Sequence, residues 1–241
     1  MVSREMVTFV AMLALSPSGM MGAPAQGPDY LQQLAQTGIE KLDKRDSSAA
    51  PTYFSSGQRD RAARVRQSIE DFNAFFESKL HAHADVGLAV LNATDWQKVR
   101  GTPMGTSGVI GTPPVIFMPV GPGDRPSKTM AARKATIPTA DLVTYLTTHR
   151  MTFDDLAAQF IDLLALHEAG HVVSKNIGIA TSSHWLSEFV ASYCSYAFLS
   201  ERQPARREVF DLLGRPSSIR PLNTTLADFD GLYGGVDDYG W

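Results

Sequence analysis

Between Ser56 and Leu80, the residues Val65, Ile69, Phe72, Phe76 and Leu80 recur at steps of three and four with charges between them, a spacing that lays one apolar stripe along an α-helix. The pattern then changes. Val86 to Leu91 and Pro114 to Val120 are short apolar runs bounded by Asn, Asp, Gly and Pro, which predicts β-strands. Pro113, Pro114 and Pro119 have no N–H to give to a ladder, so the second run is expected at a sheet edge. The glycine-rich stretch from Gly101 to Thr112 lacks the Lys and Ser or Thr of a phosphate-binding loop and reads as a flexible connection. From Thr139 onward the chain turns helical. Helix, then strands, then helices, with no internal repeat, predicts an α+β domain with a small, mostly antiparallel sheet rather than a doubly wound one.

The N-terminal end carries a different pattern. An apolar run from Met6 to Leu15 is followed by small and turn-forming residues and by Ala23-Pro24-Ala25, the order of a secretory signal peptide over residues 1–25, cleaved near Ala25. This implies a secreted or periplasmic protein. The run is too short to span a bilayer, no cysteine follows it at the N-terminus to carry a lipid, and no later segment is long and apolar enough, so a stable membrane anchor is not expected. Residues 26–54 are rich in Gln, Ser, Ala, Asp and Lys, with a short apolar pattern around Tyr30, Leu31, Leu34 and Ile39. They read as a linker or loosely packed helix ahead of a main domain over 55–241.

Composition narrows the class. With 241 residues and 44% apolar side chains the chain can build a sizeable core. Its 22 basic and 25 acidic residues are interspersed and sum to −3, giving no long-range field that favours nucleic acid. The lone Cys194 forms no intrachain disulfide and leaves the redox compartment open.

The segment that carries chemistry is Leu163-Leu-Ala-Leu-His167-Glu168-Ala-Gly170-His171-Val-Val, an H-E-x-x-H arrangement inside a helical pattern. Thr152 is placed to cap this helix, with Asp155 at its third position and Leu156, Phe160, Leu163 and Leu164 as its apolar stripe. Four residues return to nearly the same helix face about 6 Å further on, so two imidazoles can reach one tetrahedral ion. Glu168, one step round, borders the open position of such an ion, where it can take a proton from a bound water. Gly170 costs this helix roughly 1 kcal/mol relative to Ala, a sacrifice that makes sense if another element approaches there. Two core histidines without a metal would each need a buried hydrogen-bond partner among leucines, which favours metal binding.

A catalytic zinc usually has three protein ligands. Lys175-Asn-Ile-Gly178 reads as a helix end, and Ser182 or Ser183 can cap a second helix from His184 to Leu199. On it Glu188, Ala191, Ser192 and Ser195 share a face, while Trp185, Phe189 and Phe198 point elsewhere. Small residues around one carboxylate suit close packing on the first helix.

These two helices resemble the gluzincin group of zinc peptidases, in which one helix carries H-E-x-x-H and the next a glutamate ligand. The resemblance covers residues 152–200, on His167-Glu168-Ala-Gly-His171 and Trp185-Leu-Ser-Glu188-Phe-Val-Ala-Ser192. It implies a zincin-like fold, a single Zn2+ on His167, His171 and Glu188, and Glu168 as the base that activates water. More loosely, Asp95-Trp96, Pro114 to Val120 and Leu232-Tyr-Gly-Gly are similar to a group of bacterial secreted proteins with the same helix pair. In thermolysin-like members an acidic residue four positions beyond the glutamate ligand orients the first histidine; here Ser192 stands there. The group that steadies the oxyanion is not marked by motif, and His184, Tyr193 and Tyr239 are the candidates. The metzincin alternative needs a glycine and a third histidine soon after His171, and neither occurs there.

The expected function is therefore zinc-dependent hydrolysis of peptide or protein substrates, with a peptide lying along the edge strand near Pro114 to Val120. The competing reading is a secreted zinc-containing binding module without turnover. Glu168 argues for the enzyme, since a module has no need of a carboxylate beside the open coordination position.

Overall fold

A computed structural model describes residues 28–42, 50–120, 134, 137, 139–179, 181 and 183–214. The expected signal peptide and Tyr239 lie outside these residues. Seven helices and five strands are described. In chain order they are α1 (Tyr30–Gln36), β1 (Glu40–Lys41), β2 (Thr52–Phe54), α2 (Arg59–Leu80), β3 (Gly87–Leu91), α3 (Ala93–Arg100), β4 (Gly108–Ile110), β5 (Val115–Pro119), α4 (Thr139–His149), α5 (Phe153–Asn176), α6 (His184–Arg202) and α7 (Pro204–Gly214).

The strands form one sheet in the order β1-β2-β3-β5-β4. This is the expected α+β class, but the sheet is mixed and not mostly antiparallel. The central pairs β2/β3 and β3/β5 are parallel, and only the flanking pairs β1/β2 and β4/β5 run antiparallel. The reason is connectivity: α2 lies between β2 and β3, and a helix crossover returns the chain to the same end of the sheet.

Side chains leave these strands alternately to two cores. Phe54, Leu88, Val90, Ile116 and Met118 join the main core with α2, α5 and α6, whereas Tyr53, Ala89, Leu91, Val115 and Phe117 join a second core with Leu34, Trp96 and Val99. Burial on both faces is why β3 and β5 read as continuous apolar runs. It also overturns the edge assignment of β5, which lies between β3 and β4. Its prolines sit where no donor is needed. Pro114 precedes the strand and offers only its carbonyl, to the Gly87 N–H at 2.9 Å. Val120 N–H turns toward β3, bonding the Leu91 carbonyl at 2.9 Å, so the nitrogen of Pro119 faces the side of β4, whose pairing with β5 ends at Phe117. The edge on this side of the sheet is β4, inside the stretch read as a flexible connection.

Residues 28–42 and 50–54, read as linker or loosely packed helix, supply α1, β1 and β2, with Leu34 fully buried in the second core. Among the described residues no helix is long and apolar enough to cross a membrane.

The helices follow their sequence signals. In α2, Val65, Ile69, Phe72 and Phe76 are all buried, and the helix stops at His81, which adopts a left-handed conformation (φ 51°). Helix α5 opens with a complete capping box: the Thr152 hydroxyl accepts the Asp155 N–H, and the Asp155 carboxylate accepts the Thr152 N–H. It ends before Gly178, at φ 81°. Arg61 of α2 ties α5 to the sheet by pairing with Asp162 at 2.7 Å and donating to the Pro119 carbonyl at 3.3 Å.

Candidate metal centre

The site is built where α5 and α6 pack on each other. Four residues separate His167 from His171 on α5, so their rings emerge one turn apart, with centroids 4.8 Å apart. Glu188 comes from the second turn of α6. That it can reach them depends on Gly170, because a Cβ there would lie 2.7 Å from the Ala191 carbonyl oxygen and 3.0 Å from its Cα. The glycine lets the backbone of α6 lie directly on α5. This is the close approach that its position in the motif suggested.

At the junction His167 Nε2 lies 2.9 Å from Glu188 Oε2 and 3.2 Å from His171 Nε2, which lies 3.5 Å from Glu188 Oε1. Donors about 2.0–2.1 Å from a tetrahedral ion lie roughly 3.3 Å from one another, so the spacing matches the edges of such a polyhedron. The electrostatics agree. Two imidazole lone pairs and a carboxylate are all acceptors, and their convergence demands a proton or a cation between them. One carboxylate with two imidazoles is a donor set that suits zinc. Among the described residues, His167, His171 and Glu188 form the group able to hold a metal ion.

The outer nitrogens of both rings are also engaged. His167 Nδ1 lies 3.2 Å from the Ser192 hydroxyl, and His171 Nδ1 lies 3.2 Å from the Ser187 hydroxyl. A ring that donates Nδ1–H outward presents its Nε2 lone pair inward, the tautomer a metal requires. Ser192, four residues beyond Glu188, is thus the outer partner of His167. Ser187 is that of His171 and was not anticipated, since a serine beside a glutamate carries no signal of its own.

Glu168 faces the sheet side of this group. Its Oε2 accepts the N–H of Val109, on β4, at 3.0 Å, a main-chain contact with no mark in the sequence. Burial pushes the Glu168 carboxyl above the ordinary glutamate range, and the charge of Glu188 adds to this, against the lowering effects of His167, His171 and the Val109 N–H. For His171, burial pulls downward, but the hydrogen bond and charge of Glu188, with the charge of Glu168, outweigh it and raise its affinity for a proton. The cluster thus favours positive charge at its centre, with a carboxylate of raised proton affinity beside it.

The remaining candidates are placed differently. His184 is exposed at the first position of α6, one turn before Glu188. Tyr193 stacks on Phe189, with centroids 6.3 Å apart, and the exposure of Phe189 puts that pair on the outward side of α6. Tyr239 falls outside the described residues. Cys194 is buried, which pushes its thiol up to about 12 and makes it a packing residue, not a nucleophile or ligand.

Comparison with known proteins adds no relative to this picture: no family model matches the chain, and neither a curated protein nor a solved structure matches it.

Proposed function

We propose that this chain is a zinc-dependent hydrolase of the gluzincin type, exported and acting on peptide bonds. The observation that carries the reading is the convergence of His167 Nε2, His171 Nε2 and the Glu188 carboxylate at 2.9–3.5 Å, with Glu168 on the adjoining side. Zinc held by those three residues would supply a Lewis acid that polarises a carbonyl and lowers the pKa of water from about 15.7 towards 7. The chain's own part is proton handling. Glu168 accepts a proton from the attacking water as its oxygen bonds to the carbonyl carbon, then returns it to the amine nitrogen as the C–N bond breaks. Burial raises its affinity for the proton it must take up. An extended substrate cannot add to the sheet at β5, whose edges are both paired.

The test is metal content and cleavage of varied quenched-fluorescent peptides by the parent chain, Glu168→Gln and the ligand variants. One zinc per chain is expected in the parent. Glu168→Gln should keep the metal and lose turnover by about 10²- to 10⁴-fold, while His167→Ala, His171→Ala and Glu188→Ala should lose the metal. Stoichiometric zinc without turnover would favour the binding module instead, and a parent chain that takes up no zinc would refute the reading.

A further inference from the structure

Val109 is the middle residue of β4, paired with Ile116 between the pairs Gly108/Phe117 and Ile110/Val115. In an antiparallel ladder, residues whose N–H and C=O bond the neighbouring strand alternate with residues whose groups turn outward. The Val109 N–H leaves the ladder and donates to Glu168 Oε2 at 3.0 Å, so Val109 is of the outward kind. Because β4 is an edge strand, no further strand of the described sheet takes that N–H. The terminal torsion of a glutamate is broad, and a hydrogen bond from a rigid strand narrows it. It also distinguishes the two oxygens: Oε2 is held, and Oε1 is left to exchange a proton.

We propose that the main-chain N–H of Val109 is a positioning group for Glu168, fixing the plane of its carboxylate so that one oxygen anchors the side chain while the other carries the proton. This rests on the reading of Glu168 as the general base. It makes edge strand β4 part of the machinery through its backbone, whatever side chain stands at 109.

Two measurements on the full, zinc-loaded chain test it. The first is amide hydrogen exchange. The Val109 N–H, outside the ladder on an edge strand, should be protected in the parent chain and exchange at least about 10-fold faster in Glu168→Ala, with Gly108 and Ile110 unchanged. The second deletes the donor. Val109→Pro removes an N–H that the ladder does not use, the setting in which an edge strand tolerates proline; incorporating the α-hydroxy analogue of valine at 109 deletes the same N–H with the strand geometry kept, should the proline variant not fold. Either should bind one zinc and show kcat reduced about 10- to 100-fold, the range for losing a hydrogen bond to a charged group, with KM within about twofold of the parent. A Val109 amide that exchanges equally fast in parent and Glu168→Ala overturns the inference, as does a donor-deleted variant with unchanged kcat; either result leaves the proposed function standing. A parent chain that shows no turnover removes both.

Discussion

Substituting Gly170 by Ala sets two effects against each other. In an isolated helix the change is favourable by about 1 kcal/mol. Here the added methyl would lie 2.7 Å from the Ala191 carbonyl oxygen and 3.0 and 3.2 Å from its Cα and carbonyl carbon. All three are backbone atoms of α6, so no rotamer change relieves the clash, and reaching ordinary contact needs a separation of about 0.7 Å. Forcing one methyl into a close-packed site typically destabilises by about 1–3 kcal/mol, which outweighs the propensity gain. We expect a net loss of up to about 2 kcal/mol, read as a lower urea midpoint of the metal-free chain at unchanged m-value. The metal site should suffer more. Glu188 lies three residues before Ala191 on the same helix and moves with it, while ligand distances tolerate only about ±0.2 Å. Zinc affinity, measured by chelator competition, should therefore weaken at least about 10-fold, comparable to losing an outer-shell partner. A Gly170→Ala chain as stable as its parent, with unchanged zinc affinity, would refute the argument that close helix approach builds this site.

Ser187→Ala and Ser192→Ala, which remove the partners of His171 Nδ1 and His167 Nδ1, should each lower zinc affinity about 10- to 100-fold, read by the same competition assay; equal affinity in both variants would show that the rings are oriented by packing alone. Thr152→Ala breaks the capping box of α5 and should destabilise the chain by about 1 kcal/mol in urea, with zinc stoichiometry intact because the histidines lie several turns further on. The Asp95 carboxyl is partly desolvated, which raises its pKa, but hydrogen bonds from Lys98 and Ser55 and the charge of Lys98 prevail and hold it below the usual range. A depressed acid stabilises the fold fully above its unfolded pKa of about 3.9 and loses that contribution as pH falls through the folded value. Asp95→Asn should therefore flatten the fall in stability below about pH 4, measured as urea midpoints between pH 5 and 2.5.

What could be read directly from the residues was local. Helix α2 follows from the steps between Val65, Ile69, Phe72 and Phe76, and the start of α5 from Thr152 with Asp155, because capping and amphipathicity involve groups within one or two turns. The His167-Glu168-His171 constellation is legible for the same reason, since an i, i+4 spacing fixes the relation of two side chains once the helix forms. Even Gly170 signalled a close approach, by standing in a helix it weakens. Strand order is another matter. The prolines of β5 suggested an edge, but whether an edge is free depends on which strand arrives beside it, and β4 comes from a stretch too glycine-rich to show a pattern. Glu188 could be nominated by its small neighbours, but its distance of 2.9 Å from His167 exists only because two helices pack through Gly170. Ser187, Ser192 and the Val109 N–H are ordinary groups that occur throughout any chain; tertiary contact alone selects them. Local spacing was enough to place the long helices and to set His167, Glu168 and His171 together on one of them. Long-range packing decided which groups those side chains meet, because contacts between residues as distant as Val109 and Glu168 follow from the whole arrangement of sheet and helices and not from any local spacing.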